Sequence, residues 1–381
     1  MRVHYGPALL NAAAGVARLA PADAAPGGAG LGTAPVRAPT PVRSFALHGY
    51  APPALRQADP AALHQLAGET MGTTWSVRLG NPHFLPLEPA RQAVQKALDL
   101  VVQQMSHWEP GSDLSRFNGA AAGTWQVLPQ PFWDVLTCAF DWARESGGAW
   151  DPTVGPLVQA WGFGPQAGAN ATARASTDGP DPQHLAQARA RVGYGRVGQR
   201  PAARQALQPG GTQIDLSGIA KGYAVDLVVQ HLKALGYADF LVEVGGELRA
   251  SGRRPDGRPW RVAVASEEQG AAAGAPRALA LNDMAIATSG DLYHAYERGG
   301  RRYSHTIDPR TGEPVAHALA SVTVLHPECM HADALATVLT VLGPREGLAF
   351  AQSRGLAALL CERTAAGPAP VMTSAFAALT A

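Results

Sequence analysis

Cysteine is scarce in this chain of 381 residues, with Cys138, Cys329 and Cys361 the only three. They stand far apart and share no metal-ligand spacing. That excludes a zinc module and a disulfide framework, and the odd count leaves one thiol over. Net charge is close to zero as well. Lys and Arg number 31 against 30 Asp and Glu, giving +1 at pH 7, and only 16% of residues are charged. Nothing in that balance advertises nucleic acid or an anionic membrane surface. No run of about 18 apolar residues occurs, so no bilayer-spanning helix is expected. A Gly-x-Gly-x-x-Gly turn between strand and helix is missing, which argues against a dinucleotide dehydrogenase. No internal repeat is present.

Glycine and proline are plentiful, at 42 and 31 residues, which suits a loop-rich mixed fold. Residues 1–66 are first Ala-, Pro- and Gly-rich and then polar. They read as a flexible N-terminal arm or degenerate leader. Asn11, Gly15 and Arg18 interrupt the apolar stretch that an export signal needs, and no cysteine follows to carry lipid. Residues 67–381 read as one α+β domain, with mixed and antiparallel sheets and flanking helices.

Along that domain, residues 69–79 alternate through Trp75, Val77 and Leu79 as a strand. Residues 89–105 carry Ala93, Ala97, Leu98, Val101, Val102 and Met105 on one helical face. A polar loop follows at 106–118, a helix at 131–146, and a shaped loop with two prolines and three aromatics at 148–164. Residues 166–181 read as a mobile surface insertion, and 184–192 as a short helix. Residues 240–248 read as a buried strand beside another at 260–265, joined through a hairpin turn at 253–259. Strand material at 278–288 leads into a short aromatic helical piece from Ser289. A strand then enters the turn Pro309-Arg310-Thr311-Gly312. A strand at 319–325 and a helix at 330–342 complete the reading.

The organising stretch is Ile214-Asp215-Leu216-Ser217-Gly218-Ile219-Ala220-Lys221-Gly222-Tyr223. It reads as a strand ending near Leu216 and a helix starting near Gly218. The helix places Ala224, Leu227, Val228, His231, Leu232 and Leu235 on one face. A glycine-bearing helix start leaves backbone N–H groups free for an anion. Lys221 stands in the first turn, where its charge opposes the helix dipole. A bound phosphate would account for it, and an ordinary turn with a solvent-facing lysine reads equally well.

Other residues are open to two readings each. Asp333 and Thr337 are i,i+4, so a helix puts a carboxylate and a hydroxyl on one face, as Mg²⁺ ligation needs. The alternative is a first-turn aspartate with a back-bonded threonine. His305, in Ser304-His305-Thr306-Ile307-Asp308-Pro309, is either a general base or structural. Met71 and Trp108 are either ring-stacking groups or plain core. Glu243 faces away from Val242 and Val244, toward solvent or a polar site.

Seven segments, in order, resemble the ApbE family of FAD:protein FMN transferases, formerly described as thiamine-biosynthesis lipoproteins. They are Thr70-Met71-Gly72-Thr73; Met105-Ser106-His107-Trp108 with Ser115-Arg116-Phe117-Asn118; Asp151-Pro152-Thr153-Val154-Gly155-Pro156-Leu157; Asp215 to Gly222; Val244-Gly245-Gly246-Glu247; Ser304 to Pro309; and Ala332-Asp333-Ala334-Leu335-Ala336-Thr337. The resemblance implies an α+β catalytic domain that cleaves FAD at its diphosphate. FMN would be joined by a phosphoester to a Thr or Ser hydroxyl of an acceptor protein, and AMP released. It implies Mg²⁺ held by the Gly218 carbonyl, Asp333 and Thr337. A further acidic position of the family falls at Ala336, which cannot ligate. It implies flavin contacts from Met71, Trp108, Ala149, Trp150, Asp151, Asp215, Lys221 and Ile307, with His305 as base toward the acceptor hydroxyl. Where the family often has tyrosine, this chain has Trp108. The implied acceptor is a subunit of a membrane redox complex, and the implied setting is the periplasm or cell envelope. FAD hydrolysis to FMN and AMP, or FAD binding without chemistry, remain the alternatives. All of this requires Lys221 and Asp333 to converge in space.

Overall fold

The computed structural model describes residues 59–164, 179–264, 278–290, 295–298 and 301–380. Most of the insertion read at 166–181, and the arm as far as residue 58, lie outside them. Within them, eight strands form one sheet in chain order: β1 (Leu63–Thr70), β2 (Thr73–Gly80), β3 (Phe240–Val244), β4 (Glu247–Ser251), β5 (Ala285–Gly290), β6 (Leu319–His326), β7 (Ala357–Thr364) and β8 (Gly367–Met372). Each pairs antiparallel with the next. The sheet thus begins at Leu63, inside the segment read as arm. The described helices are α1 (Leu87–Met105), α2 (Asp113–Asn118), α3 (Gln130–Glu145), α4 (Gly155–Ala160), α5 (Pro182–Arg189), α6 (Ala220–Ala234), α7 (Cys329–Ser353) and α8 (Ser374–Thr380).

The two-residue side-chain period of the strands divides the core. Val77, Leu79, Val242 and Val244 face a cluster with Val94, Leu98 and Val101 of α1, Leu136 of α3 and Val228 of α6. Val322, Val324, Ala358 and Leu360 meet Leu335 and Leu339 of α7. The intervening positions Leu241, Ile286, Leu325 and Leu359 point the other way, onto Trp260, Leu279 and Phe376. Each fully buried Val or Leu contributes about 1.5–3 kcal/mol, which is why a one-residue slip of register is excluded.

Several sequence expectations are corrected. Residues 214–216 are not a strand of a sheet. The segment makes one parallel bridge, Val154 with Gln213, and α6 begins only at Ala220. Trp260–Ala263 does not pair with β3 but with Ala278–Leu281 in a separate two-stranded sheet. The neighbour of β3 is β4, across the tight turn Gly245–Gly246, where both residues have positive φ (61° and 104°). Only glycine takes that conformation cheaply. Of the helical piece expected from Ser289, residues 291–294 lie outside the described residues, while Ser289 and Gly290 end β5 and Ala295–Arg298 is a strand paired with Arg301–Ser304. The loops read at 106–118 and 148–164 each contain a short helix, α2 and α4. Ser112 caps α2 by accepting the Ser115 N–H at 2.9 Å, a capping signal the polar composition hid. The three-stranded sheet of Thr124–Val127, Gln205–Gln208 and Gln199–Arg200 had no clear alternation to announce it.

α7 continues past the expected end at 342, with a break at Gly343 (φ 78°) ahead of Pro344. By length and apolarity it would qualify as a membrane span, contrary to the reading of the sequence. Yet 56% of its most apolar window is buried inside the fold, so it is placed as a core helix.

Candidate active site

The segment leading into α6 is fixed by its neighbours. Asn118 clamps Ile214, donating to its carbonyl at 2.9 Å and accepting its N–H at 2.7 Å. The Asp215 N–H donates to the Pro152 carbonyl at 2.7 Å, and the Gly155 N–H to the Gln213 carbonyl at 3.2 Å. The Ser217 N–H donates to Asp215 Oδ1 at 2.8 Å, closing a local turn. So α2, the 150–155 loop and the α6 turn form one unit. It lines a cleft of about 230 Å³ whose walls include His107, Asn118, Gln159, Gln213 and Asp215.

No side chain of its own caps α6. Its Gly222 N–H donates to Asp333 Oδ2 of α7, at 3.0 Å. The converse holds at the start of α7, which also lacks a local cap. There the Cys329 and Met330 N–H groups donate to Asp226 of α6, at 3.0 and 2.9 Å. The two helices therefore cap each other with buried aspartates, a tertiary form of N-capping. Arg249 of β4 pairs with Asp226 at 2.5 Å. Burial raises both Asp226 and Asp333 above the usual carboxylate range. The Met330 and Cys329 N–H groups and Arg249 oppose this at Asp226, and Lys221 and the Gly222 N–H at Asp333.

Close approach makes this possible. A Cβ on Gly222 would stand 2.3 Å from the Cys329 carbonyl oxygen and 2.8 Å from Asp333 Cβ. Gly222→Ala must therefore push α6 from α7. We expect a cost of about 1–3 kcal/mol or more, read as a fall in Tm by several degrees in a thermal melt. An unchanged Tm would show that the contact has slack.

Lys221 lies at this junction and pairs with Glu247 of β4. Desolvation alone would lower its ammonium, but Glu247 and Asp333 outweigh that and hold it firmly protonated. Its side chain is 30% exposed against 4% for Glu247, so the lysine is the member open to a ligand. Gly218 and Thr337 also meet. A Cβ on Gly218 would lie 2.8 Å from Thr337 Oγ1 and 3.3 Å from Trp150 Nε1. Thr337 is back-bonded to the Asp333 carbonyl only at 3.4 Å. The structure thus brings together Lys221, Asp333, Thr337, Gly218 and Trp150. Ala336 belongs instead to the apolar cluster between α7 and the sheet.

The remaining expected residues are placed differently. Met71 sits in the β1–β2 turn with φ 49°, followed by Gly72 at 71°. A left-handed non-glycine residue costs about 1–3 kcal/mol, so the turn spends stability to hold a methionine there. Two residues on, Thr73 Cγ2 lies 2.8 Å from the Cβ position of Gly245, which itself is 3.3 Å from Lys221 Cδ. Trp108 is 58% exposed, beside His107 with ring centroids 5.5 Å apart. His107 in turn stands 3.7 Å from Asp215, so Trp108 is a rim aromatic at the same turn, not core.

Asp151 is buried, and its carboxylate is occupied by the Thr153 N–H and hydroxyl (2.8 and 2.6 Å) and the Tyr194 N–H (2.7 Å). Burial raises it, and those donors oppose the rise. Its side chain holds the loop. Ala149 and Ile307 are buried too, Ile307 among Leu157, Ala160 and Trp161. Any ligand contact from these two would come through backbone. His305 belongs to that neighbourhood, edge-on to Phe163 with centroids 6.5 Å apart. Phe163 precedes Gly164, which lines the cleft. Its contact with Phe163 puts His305 next to the part of the cleft wall that Gly164 forms. Glu243 faces neither solvent alone nor the pocket: it accepts from Ser76 Oγ at 3.1 Å and the Gly246 N–H at 3.0 Å, bracing the β3–β4 turn.

Sequence reading missed Asp226, Glu247 and Asn118 as site-building residues. A signal was available for Asp226 alone, an acid inside the apolar run of α6.

The ApbE family profile matches residues 71–360. A FAD:protein FMN transferase of Haemophilus influenzae is 36% identical over 323 residues, covering 83% of this chain and 91% of that protein. One of Vibrio cholerae is 36% identical over 326 residues, covering 83% and 92%. The apo crystal structure of the Pseudomonas stutzeri flavinyl transferase ApbE is similar with a TM-score of 0.75 at 37% identity, over 84% of this chain and 97% of that one. Since the matched span runs from the Met71 turn through α6 and α7 to β7, the chain belongs to the ApbE family.

Proposed function

We propose that the chain is a Mg²⁺-dependent FAD:protein FMN transferase, acting on a Thr or Ser hydroxyl of an acceptor protein in the cell envelope. The observation that carries this reading is the junction of α6 and α7, where Lys221, Asp333, Thr337 and Gly218 converge. The donor set fits a hard divalent cation: a carboxylate, a hydroxyl and a backbone carbonyl, all oxygen. Asp333, Thr337 and the Gly218 carbonyl would hold it, and when bound it would neutralise charge on the diphosphate.

The protein's own groups account for the rest. Lys221 offers a protonated ammonium to the diphosphate, and the α6 start adds backbone N–H groups. Trp108 and Met71 present a ring face and a thioether to the flavin. His305 accepts the proton of the acceptor hydroxyl as its oxygen attacks the FMN phosphorus. The bond from that phosphorus to the bridging oxygen breaks, and AMP leaves with the electron pair. Such transfer needs charge neutralisation and in-line placement more than covalent help.

Incubation with FAD, Mg²⁺ and candidate acceptors tests the reading. Expected are in-gel flavin fluorescence on the acceptor, a mass increase equal to one FMN residue, and one AMP per transfer. Stoichiometric FMN and AMP without acceptor modification would make it a hydrolase. Bound FAD with no AMP would make it a binding protein.

A further inference from the structure

One charged side chain at the α6–α7 junction has no task in that mechanism. Glu247, the first residue of β4, is 3% exposed. Its Oε1 takes the Lys221 ammonium, and its Oε2 is buried without a hydrogen-bond partner among the described residues. The Gly245–Gly246 turn delivers it there directly after β3. On the other side of Lys221, Asp333 is fixed by the N–H of the very next residue, Gly222. The ammonium thus pairs with Glu247 while Asp333 attracts it from farther off, where water screens little. Deprived of Glu247, the ammonium is left with Asp333 as the carboxylate that attracts it among the described residues.

We infer that Glu247 is a positioning residue: it holds the Lys221 ammonium off Asp333 and so leaves the Asp333 carboxylate open to a divalent cation. This rests on the reading of Asp333 as a cation ligand. Lys221 is then simultaneously restrained and aimed outward, where its exposed flank meets an anionic substrate. A ligand role for Glu247 itself would give a different result when Lys221 is also removed, and that difference is the test.

Mn²⁺ serves as the probe. The loss of its free-ion electron paramagnetic resonance signal reports binding to the intact chain, with no FAD and no turnover. Glu247→Gln keeps shape and an acceptor but removes the charge, and should weaken Mn²⁺ binding by roughly tenfold or more. Glu247→Asp should recover part of the loss. The double variant Lys221→Met/Glu247→Gln should return affinity to within about threefold of the wild type, because no ammonium remains to occupy Asp333. Lys221→Met by itself should bind at least as tightly as the wild type.

A double variant as weak as Glu247→Gln overturns the inference, since Glu247 would then act as a ligand or through packing. Should Glu247→Gln fail to fold in a circular-dichroism melt, Lys221→Met decides: weaker Mn²⁺ binding there overturns the inference, and equal or tighter binding supports it. Asp333→Ala is the control for the reading beneath. If the wild type shows no Mn²⁺ binding that this variant removes, the cation site falls, and the role of Glu247 with it.

Discussion

Asp333→Ala is expected to abolish flavin transfer at every Mg²⁺ concentration, by about 10²–10³-fold or more. Two losses coincide in that variant. The carboxylate proposed to face the cation is gone, and the Gly222 N–H at the start of α6 loses its acceptor. The second effect touches stability, since an orphaned buried donor costs about 1–3 kcal/mol. Relief of a buried carboxylate offsets part of it, because burial already holds Asp333 above its ordinary range. Activity should therefore fall far more than Tm. Asp333→Asn separates the two: it retains an acceptor oxygen for Gly222, and should stay folded yet fail to transfer. Initial rates of AMP release over a Mg²⁺ titration check this. Wild-type turnover in Asp333→Ala at any Mg²⁺ concentration would remove Asp333 from the ligand set and unlink the α6–α7 junction from the chemistry.

His305→Ala is expected to keep FAD binding and lose transfer by about 10²–10⁴-fold, the range for removing a general base. The placement of His305 makes this the more demanding prediction. The histidine packs on Phe163, next to the cleft-lining Gly164, while Asp333 takes the Gly222 N–H at the helix junction beside Lys221. For His305 to serve as base, the acceptor hydroxyl must reach the Phe163 side of the cleft lined by Gln159, Gly164 and Asp215. Quenching of flavin fluorescence measures FAD affinity, and in-gel fluorescence of the acceptor measures transfer. Unchanged flavinylation would take His305 out of the mechanism. Joint loss of affinity and transfer would assign it to holding the Phe163 loop.

Much of the element pattern was legible because it depends on local chemistry. The alternation of Trp75, Val77 and Leu79 specifies a strand wherever it packs. The 3.6-residue spacing through α1 and α3 specifies helices whose boundaries fell within a few residues of those read. Partner choice was less legible. The Arg253-to-Pro259 stretch looks like a hairpin turn, yet β3 closes earlier, on a Gly-Gly pair that local pattern cannot rank above it. α6 shows the same limit. Its predicted face includes Leu235, which is exposed, and omits Val225, Val229 and Asp226, which are buried. That helix is enclosed by α1, α7 and the sheet, so one stripe does not describe it.

By itself, the sequence determined the α+β character, the family, and the residue types that could serve a diphosphate: a first-turn lysine, and an aspartate and threonine one helical turn apart. Those follow from spacing along the chain. Only the tertiary structure decided which of them share a site. It set Asp333 on the N–H of Gly222, recruited Asp226 to cap the opposing helix, gave Lys221 the buried Glu247 as partner, and set His305 against Phe163 beside the cleft. The reason is physical. Buried hydrogen bonds and ion pairs act through space in a medium of low dielectric, here between groups as far as 111 residues apart along the chain, and no periodicity along a chain encodes such a pairing.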